Sequence, residues 1–186
     1  MAERVCPWWV GYLLASPIRR LFQKPEEILG AHVREGMSVL DVGCAMGFFS
    51  LPLARMVGEQ GRVLCVDMQE RMIRSLEKRA RRAGVIDRIE TRVCSATGLD
   101  LTDQAGQIDF AVAFAVVHET PDAAAFLSQI HAALAPGGRL LVSEPRGHIS
   151  ADAFDATLLA AEACGFARAA EPEIRGGRSV LLEKSG

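Results

Sequence analysis

Hydrophobic positions divide the chain into short apolar stretches and longer stretches with helical spacing. The helical spacing is clearest where Met72, Ile73, Leu76 and Ala80 fall on one face of a predicted helix. Predicted helices cover residues 48–57, 69–82, 122–134 and 150–164. Predicted strands cover residues 39–42, 62–66, 88–94, 109–117 and 139–143. Strands that alternate with helices in this way form parallel sheets, and the almost wholly apolar run at 109–117 is typical of a central strand.

Turn-forming residues indicate where the later elements end. The Pro-Gly-Gly sequence at 136–138 is expected to end the helix that begins at Asp122 before the fifth strand starts. Two final strands, at 167–173 and 178–183, are separated by Gly-Gly at 176–177, which is a hairpin signal. We therefore predict a doubly wound α/β fold with helices on both faces of a mostly parallel sheet and an antiparallel edge.

Length and composition limit the organisation of the chain. Its 186 residues predict one domain, at about 150 residues per domain. We expect residues 1–35 to form a helical N-terminal segment and residues 36–186 to form the domain. Hydrophobic residues make up 49% and charged residues 24%, which excludes a disordered chain, a coiled coil and a collagen-like fibre. The net charge of −2 lacks the basic excess of most nucleic-acid-binding domains.

The cysteines and the apolar runs indicate a compartment. None of the five cysteines has the C-x-x-C spacing of zinc or redox sites, and the closest pair in sequence is Cys44 and Cys65. Reduced, buried thiols in a cytoplasmic protein are the simplest interpretation. The uncharged run at 5–18 is shorter than the ~20 residues of a membrane-spanning helix, and the start lacks a signal-peptide layout. We expect a cytoplasmic protein without a transmembrane segment.

A glycine-rich turn joins the first predicted strand to the first predicted helix. Gly43, Ala45 and Gly47 are small, so the backbone can approach a ligand closely while the helix N-terminus offers its amides. Twenty residues after Gly47, Asp67 ends the second strand, where an acidic side chain binds ribose hydroxyls in Rossmann-like sites. The turn, the acidic strand end and the alternating topology together predict a nucleotide-type ligand.

Two classes of ligand fit this turn. Dinucleotide sites use G-x-G-x-x-G, but here Ala45 replaces the second glycine and Phe48 the third. Asp41 lies just before the turn, where a carboxylate repels a pyrophosphate and suits an ammonium group. An NAD-linked oxidoreductase is therefore the second candidate class rather than the first.

The turn resembles the first motif of the class I methyltransferases that use S-adenosylmethionine (SAM), Asp-x-Gly-x-Gly-x-Gly. With alanine in place of one glycine, the match is carried by Asp41, Gly43, Ala45 and Gly47. Residues 110–122 resemble the fourth motif of the small-molecule and quinone-biosynthesis branch, and residues 134–140 resemble its turn into the fifth strand. The resemblance covers residues 36–184 and implies a seven-stranded sheet with an antiparallel final strand.

Transferred residue by residue, the resemblance implies a SAM site, with S-adenosylhomocysteine (SAH) as the product. The implied donor-site residues are Asp41, Gly43, Cys44, Ala45, Gly47, Asp67, Met68, Ser95, Ala96 and Phe114. Asp67 would bind the ribose hydroxyls and Met68 would flank the adenine. Ser95 stands where the family often has an aspartate that faces the adenine amine, which is a departure from the pattern.

Three polar residues are candidates for the acceptor side. Methyl transfer needs mainly in-line positioning, which supplies roughly 7–11 kcal/mol, and needs a base only if the acceptor atom arrives protonated. Strands four and five are followed by His118 and by Glu144 and His148, at the edge where open α/β sheets bind ligands. We hypothesise that one of the three is a base. The alternative is that Glu144 caps a loop, His118 packs against the cofactor and His148 is merely exposed.

The N-terminal segment carries an aromatic cluster. Its apolar members are Trp8, Trp9, Tyr12, Leu21 and Phe22. They are expected either to close over an apolar acceptor or to pack on the sheet edge or at a homodimer contact, since exposed aromatic patches mark ligand or partner sites.

Two other clusters have simpler interpretations. Cys44, Cys65 and Cys94 suit a soft metalloid acceptor if they are grouped, but small buried core residues are expected instead. The basic residues between 71 and 82 are interspersed with glutamates, which favours a solvated helix face over an RNA-binding surface.

The sequence as a whole predicts an enzyme, a SAM-dependent methyltransferase that transfers a methyl group to a small, apolar acceptor by in-line displacement. An NAD-linked oxidoreductase and a non-catalytic SAM-binding module are the alternatives. Because residues 36–186 are needed for the fold, residues 1–35 alone remain for an acceptor cap. That shortage favours a small acceptor over a nucleic acid.

Overall fold

The computed structural model describes residues 23–185, in which helices and strands alternate. The helices of this range are α1 Pro25–Leu29, α2 Ser50–Met56, α3 Glu70–Ala83, α4 Ala123–Ala133 and α5 Ala151–Ala163. The strands are β1 Ser38–Val42, β2 Arg62–Asp67, β3 Ile89–Val93, β4 Ile108–Phe114, β5 Leu134–Pro145, β6 Phe166–Ala170 and β7 Gly177–Lys184. Short 3-10 turns occupy Ile86–Arg88, Thr102–Gln104 and Val117–Glu119. The aromatic cluster of the N-terminal segment lies outside the described residues.

The strands form a seven-stranded sheet in the order β3-β2-β1-β4-β5-β7-β6. β1 pairs in parallel with β2, β2 with β3, and β4 with β5. β7 pairs antiparallel with both β5 and β6, so it is the reversed strand. This arrangement confirms the predicted α/β fold class and its antiparallel final strand.

The chain divides into two compact units, one ending at Cys94 and the other beginning at Ser95. In the first unit, β1 and β2 are almost fully buried on both faces, as parallel strands covered by helices must be. The predicted apolar stripe of α3 is buried, namely Met72, Ile73, Leu76 and Ala80. Helix α3 ends at Gly84, whose φ of +67° is the left-handed conformation typical of a helix C-terminus.

In the second unit, β4 and β5 form the buried centre. Phe110, Ala111, Val112 and Ala113 of β4 are at most 1% exposed. β4 and β5 run side by side in the same direction, with Phe114 opposite Ser143 near their carboxyl ends. The segments that follow these two strands therefore emerge at the same edge of the sheet.

Three predicted strand limits are wrong. The fourth strand ends at Phe114 rather than at 117, because Ala115 takes a φ of +55° that takes the chain out of the extended conformation. β5 begins at Leu134 rather than 139, since the Pro-Gly-Gly sequence lies within the strand as an irregularity opposite Ile108 and Phe110. β6 ends at Ala170 rather than 173.

Within residues 23–185, no helix combines the length and the apolar character that a bilayer crossing requires.

Candidate functional site

The turn at residues 43–47 has an unusual backbone. Gly43, Ala45 and Gly47 have φ values of +70°, +45° and +82°, so all three lie in the left-handed region. A Cβ atom on Gly47 would lie 3.0 Å from Cγ of Leu76, which packs α3 against the turn. Conformation therefore favours glycine at 47 and a side chain there would crowd Leu76, whereas Ala45 accepts a conformation that L-residues disfavour.

Asp67 ties the end of β2 to this turn. Its Oδ2 accepts a hydrogen bond from the Ala45 amide at 2.9 Å, and its Oδ1 accepts one from the Gln69 amide at 2.8 Å. Burial raises the pKa of the Asp67 carboxyl, and the two backbone hydrogen bonds oppose that rise. A carboxylate has about four lone-pair positions, so each oxygen can accept one further bond from a ligand hydroxyl.

Asp41 lies in β1, two residues before Gly43, and is 3% exposed. Its Oδ2 accepts a hydrogen bond from Oγ of Ser50 at 2.5 Å, and Ser50 is the first residue of α2. Arg79 of α3 donates to the Met46 carbonyl. Both supporting residues were missed by sequence reasoning, because their partners lie nine and 33 positions away and no local pattern links them.

Two of the three candidate cysteines of the first unit, Cys44 and Cys94, are poor thiolates. Cys44 and Cys65 are buried, and burial raises the pKa of Cys44 well above its usual value. Burial also raises the pKa of Cys94 to about 11, with the nearby Asp67 charge adding to the effect. Since a soft metalloid binds thiolates, the raised pKa values of Cys44 and Cys94 and the burial of Cys65 favour the interpretation as core residues.

The remaining predicted donor-site residues lie at strand ends. Met68 follows β2 and is 40% exposed. Ser95 begins the second unit, where its Oγ accepts a hydrogen bond from the Gly98 amide at 3.0 Å and so closes a turn around Ala96. Phe114 is the last residue of β4 and is partly buried.

Glu144 is the buried polar centre of the second unit. Its side chain is 2% exposed, and its Oε1 accepts hydrogen bonds from the Val117 amide at 2.9 Å and from the Val116 amide at 3.2 Å. Its Oε2 pairs with Nδ1 of His118. Glu144 thus caps the 3-10 turn after β4, as the simpler alternative proposed, and also holds an imidazole ring.

The structure brings the three acceptor-side candidates together. The ring of His118 lies edge-on to that of His148, with centroids 5.8 Å apart. The His118 side chain is 17% exposed, and the hydrogen bond to Glu144 raises its pKa, with burial acting in the opposite direction. His148 is exposed.

The basic residues of α3 are largely paired along the helix. Arg74 bonds to Glu70 at 2.7 Å and Arg81 bonds to Glu77 at 3.3 Å, both at the i,i+4 spacing of exposed helical ion pairs. These pairs are those of a solvated helix face.

Comparisons with known proteins agree with this geometry. Residues 33–173 match the family model described as a methyltransferase domain. The ubiquinone/menaquinone biosynthesis C-methyltransferase UbiE of Escherichia fergusonii is 34% identical over 132 residues, which are 71% of this chain and 51% of that protein. The chain therefore spans about half the length of the curated relatives it matches.

Solved structures show the same fold. A SAM-dependent methyltransferase from Aquifex aeolicus superposes with a TM-score of 0.86 at 23% identity, covering 97% of this chain and 100% of that one. Geranyl diphosphate C-methyltransferase from Streptomyces coelicolor superposes with a TM-score of 0.68 at 15% identity, covering 86% of this chain and 77% of that one. Since the family model matches well over half of its residues, the chain belongs to the methyltransferase domain family.

Proposed function

We propose that this protein is a SAM-dependent methyltransferase that acts on a small-molecule acceptor by in-line displacement. Family membership supports the reaction class. The observation that carries the donor assignment is the Asp67 carboxylate, which holds the Ala45 amide of a turn with three left-handed residues.

The first unit offers the groups that SAM requires. Asp67 keeps acceptor capacity for two ribose hydroxyls, and the small side chains at 43, 45 and 47 leave the turn backbone open to the amino-acid portion. The buried Asp41 carboxylate favours an ammonium group and disfavours the pyrophosphate of NAD. When bound, SAM supplies an electrophilic methyl group on a sulfonium centre, so the chain has mainly to orient donor and acceptor.

The size and polarity of the acceptor are part of the proposal. The matched relative is named for quinone biosynthesis and a structural neighbour for geranyl diphosphate methylation, which supports a small acceptor with a large apolar part. We also propose that the aromatic cluster of residues 1–35 closes over that acceptor. The proposed location of the protein is the cytoplasm. Deletion of residues 1–22 should then weaken acceptor affinity while leaving SAH affinity intact; unchanged acceptor affinity would point to the alternative, a homodimer contact.

Calorimetric titration of the purified chain with SAM, SAH and NAD tests the donor. SAM and SAH should bind. Asp67→Asn should lower the affinity for SAH about 10-fold or more, because hydrogen bonds to a charged group contribute about 1.5–3 kcal/mol. Asp87→Asn is the matched control, since Asp87 is an exposed aspartate of the same unit. Its SAH affinity should equal that of the wild type.

The remaining function classes predict different results. NAD binding without SAM binding would overturn the proposal in favour of an oxidoreductase. SAM binding without SAH release across a panel of hydroxyl, thiol, amine and activated-carbon acceptors would favour a non-catalytic SAM-binding module. SAH release with one of these acceptors is the expected outcome.

A further inference from the structure

The Glu144 carboxylate of the second unit caps a loop and also makes a hydrogen bond to a histidine side chain. Glu144 is almost fully buried, and water supplies little of its solvation. Two backbone amides, those of Val116 and Val117, occupy one oxygen, so the side chain has a single orientation. The other oxygen is directed at His118. Removing a carboxylate from water is expensive, and the two amides engage only one of its oxygens.

This contact determines which nitrogen of His118 carries the proton. An ionised carboxylate only accepts hydrogen bonds, so Nδ1 of His118 is the donor and, in the neutral ring, Nε2 has a free lone pair. Within the described residues, no hydrogen bond engages Nε2, and the side chain is partly exposed. The ring is therefore oriented by a buried acid and presents a basic nitrogen, which is the arrangement of an activated general base.

We propose that His118 is the general base of the methyl transfer and that Glu144 is its positioning residue. The acceptor therefore arrives with a proton on its nucleophilic atom, as a hydroxyl does and as a thiolate, a thioether or a tertiary amine does not. This inference rests on the proposed methyltransferase function.

The proton-transfer step balances with the groups already named. Nε2 of His118 takes the hydroxyl proton as the acceptor oxygen forms a bond to the methyl carbon. The bond from that carbon to sulfur breaks, and its electron pair stays on sulfur as a neutral thioether. The imidazolium, stabilised by the Glu144 charge, then returns its proton to water.

The second imidazole of the cluster is a weaker candidate. His148 is exposed and follows the end of β5, and the carboxylate of Glu144 is paired with His118 instead. Its contact with His118 is edge-on between rings, which does not select a tautomer. Glu119, in the same turn, is a further charged group that acts on His118, and Arg178 of β7 lies opposite Glu144 in the strand register.

The proposal has a direct pH signature. His118 acts in its neutral form, so kcat/KM should rise with pH through its pKa, which the Glu144 hydrogen bond raises. Glu144→Gln keeps an oxygen for the two amides but removes the charge. In that variant the acid limb of the profile should move to lower pH, and kcat/KM on the plateau should fall.

The test compares matched phenols and thiophenols as acceptors, with SAH release as the readout. His118→Ala should lower the rate of SAH release with phenols about 10²–10⁴-fold, which is the usual contribution of a general base. With thiophenols, which ionise without help near neutral pH, the rate of His118→Ala should fall by less than about 10-fold. Added imidazole should restore part of the activity of this variant with phenols. His148→Ala is the comparator and should lose far less with phenols than His118→Ala.

An NMR titration of the His118 ring in the SAH-bound protein gives a readout that does not depend on turnover. Its pKa should fall in Glu144→Gln and stay constant in Glu162→Gln, a glutamate control whose partner is the exposed Arg168. An unchanged His118 titration in Glu144→Gln would overturn the positioning role. If the wild type methylates thiophenols but not phenols, the general-base role of His118 is overturned.

Failure of this inference is distinguishable from failure of the proposed function. A wild-type chain that does not bind SAH contradicts the methyltransferase assignment itself. A wild-type chain that binds SAH and methylates phenols no faster than His118→Ala does contradicts only the base.

Discussion

At the scale of single residues, the turn at 43–47 depends on a strained alanine. Ala45 has a φ of +45°, and its amide is the group that Asp67 holds. The left-handed conformation costs an L-residue roughly 1–2 kcal/mol, and family members with glycine at this position avoid that cost. The Asp67 hydrogen bond and the packing of Gly47 on Leu76 offset the strain here.

Glycine at position 45 should therefore stabilise the protein. We expect Ala45→Gly to raise the free energy of unfolding by up to about 1 kcal/mol, since relief of strain outweighs the greater freedom of the unfolded chain. Ala45→Val should lower it by more than about 1 kcal/mol, because β-branched residues are rarer still at positive φ. Urea unfolding monitored by circular dichroism measures both.

The control for this pair is the same exchange in a helix. Ala156 is exposed within α5, where Ala156→Gly should lower the unfolding free energy by about 1 kcal/mol. A loss of stability in Ala45→Gly equal to that in Ala156→Gly would contradict the strain at Ala45.

At the scale of elements, the segment after β4 is organised by caps rather than by propensity. β4 ends at Phe114, the amides of the 3-10 turn that follows bond to the Glu144 carboxylate, and Asp122 then caps α4. Oδ1 of Asp122 accepts a hydrogen bond from the Ala125 amide at 3.0 Å. Each cap satisfies amides that the regular elements leave without partners, so the eight-residue segment 115–122 holds His118 in a defined geometry.

The N-cap of α4 should be measurable by substitution. Asp122→Ala should lower the unfolding free energy by about 1 kcal/mol, because the Ala125 amide loses its acceptor. Asp155, exposed in the interior of α5, is the matched control, since alanine there is a better helix former and should cost nothing. Thermal or urea unfolding compares the two; equal effects would mean that the Asp122 bond adds no stability.

At the scale of the whole molecule, two histidines act in opposite directions on the pH dependence of stability. Burial and the nearby Lys184 charge lower the pKa of His131, whose ring packs against Phe166. The contribution of His131 to the free energy of unfolding is therefore present above the pKa of histidine in the unfolded chain, about 6.5. It is lost as the pH falls below that value. Glu144 raises the pKa of His118 in the folded protein. The contribution of His118 to stability is therefore present below its pKa in the unfolded chain and is lost as the pH rises through its pKa in the folded protein.

Urea unfolding between pH 5 and 8 should separate these contributions. His131→Gln should reduce the loss of stability on the acid side, because the variant has no partly buried imidazole to protonate. His118→Gln should instead reduce the stability that the wild type shows at the acid end relative to pH 8. Parallel pH curves for the wild type and His131→Gln would contradict the lowered pKa.

Local pattern alone accounts for most of the fold. Apolar runs and helical stripes located the strands and helices, because burial on one or two faces imposes a period that a short window contains. The apolar run at 109–117 extended the fourth strand too far, since hydrophobicity does not report the positive φ of Ala115. Pro-Gly-Gly suggested a break before β5 for a similar reason, although a sheet absorbs such residues as an irregularity.

The sequence by itself determined the α/β class, the glycine-rich turn and the set of polar residues that follow the strands. Only the tertiary structure decided which of them meet: Asp67 with Ala45 across 22 positions, and Glu144 with His118 across 26. Periodicity is a property of neighbouring residues, whereas these contacts depend on which strands lie side by side and where each one ends. The choice of His118 over His148 as the oriented imidazole therefore depends on the buried carboxylate of Glu144, which no local pattern distinguishes from an exposed one.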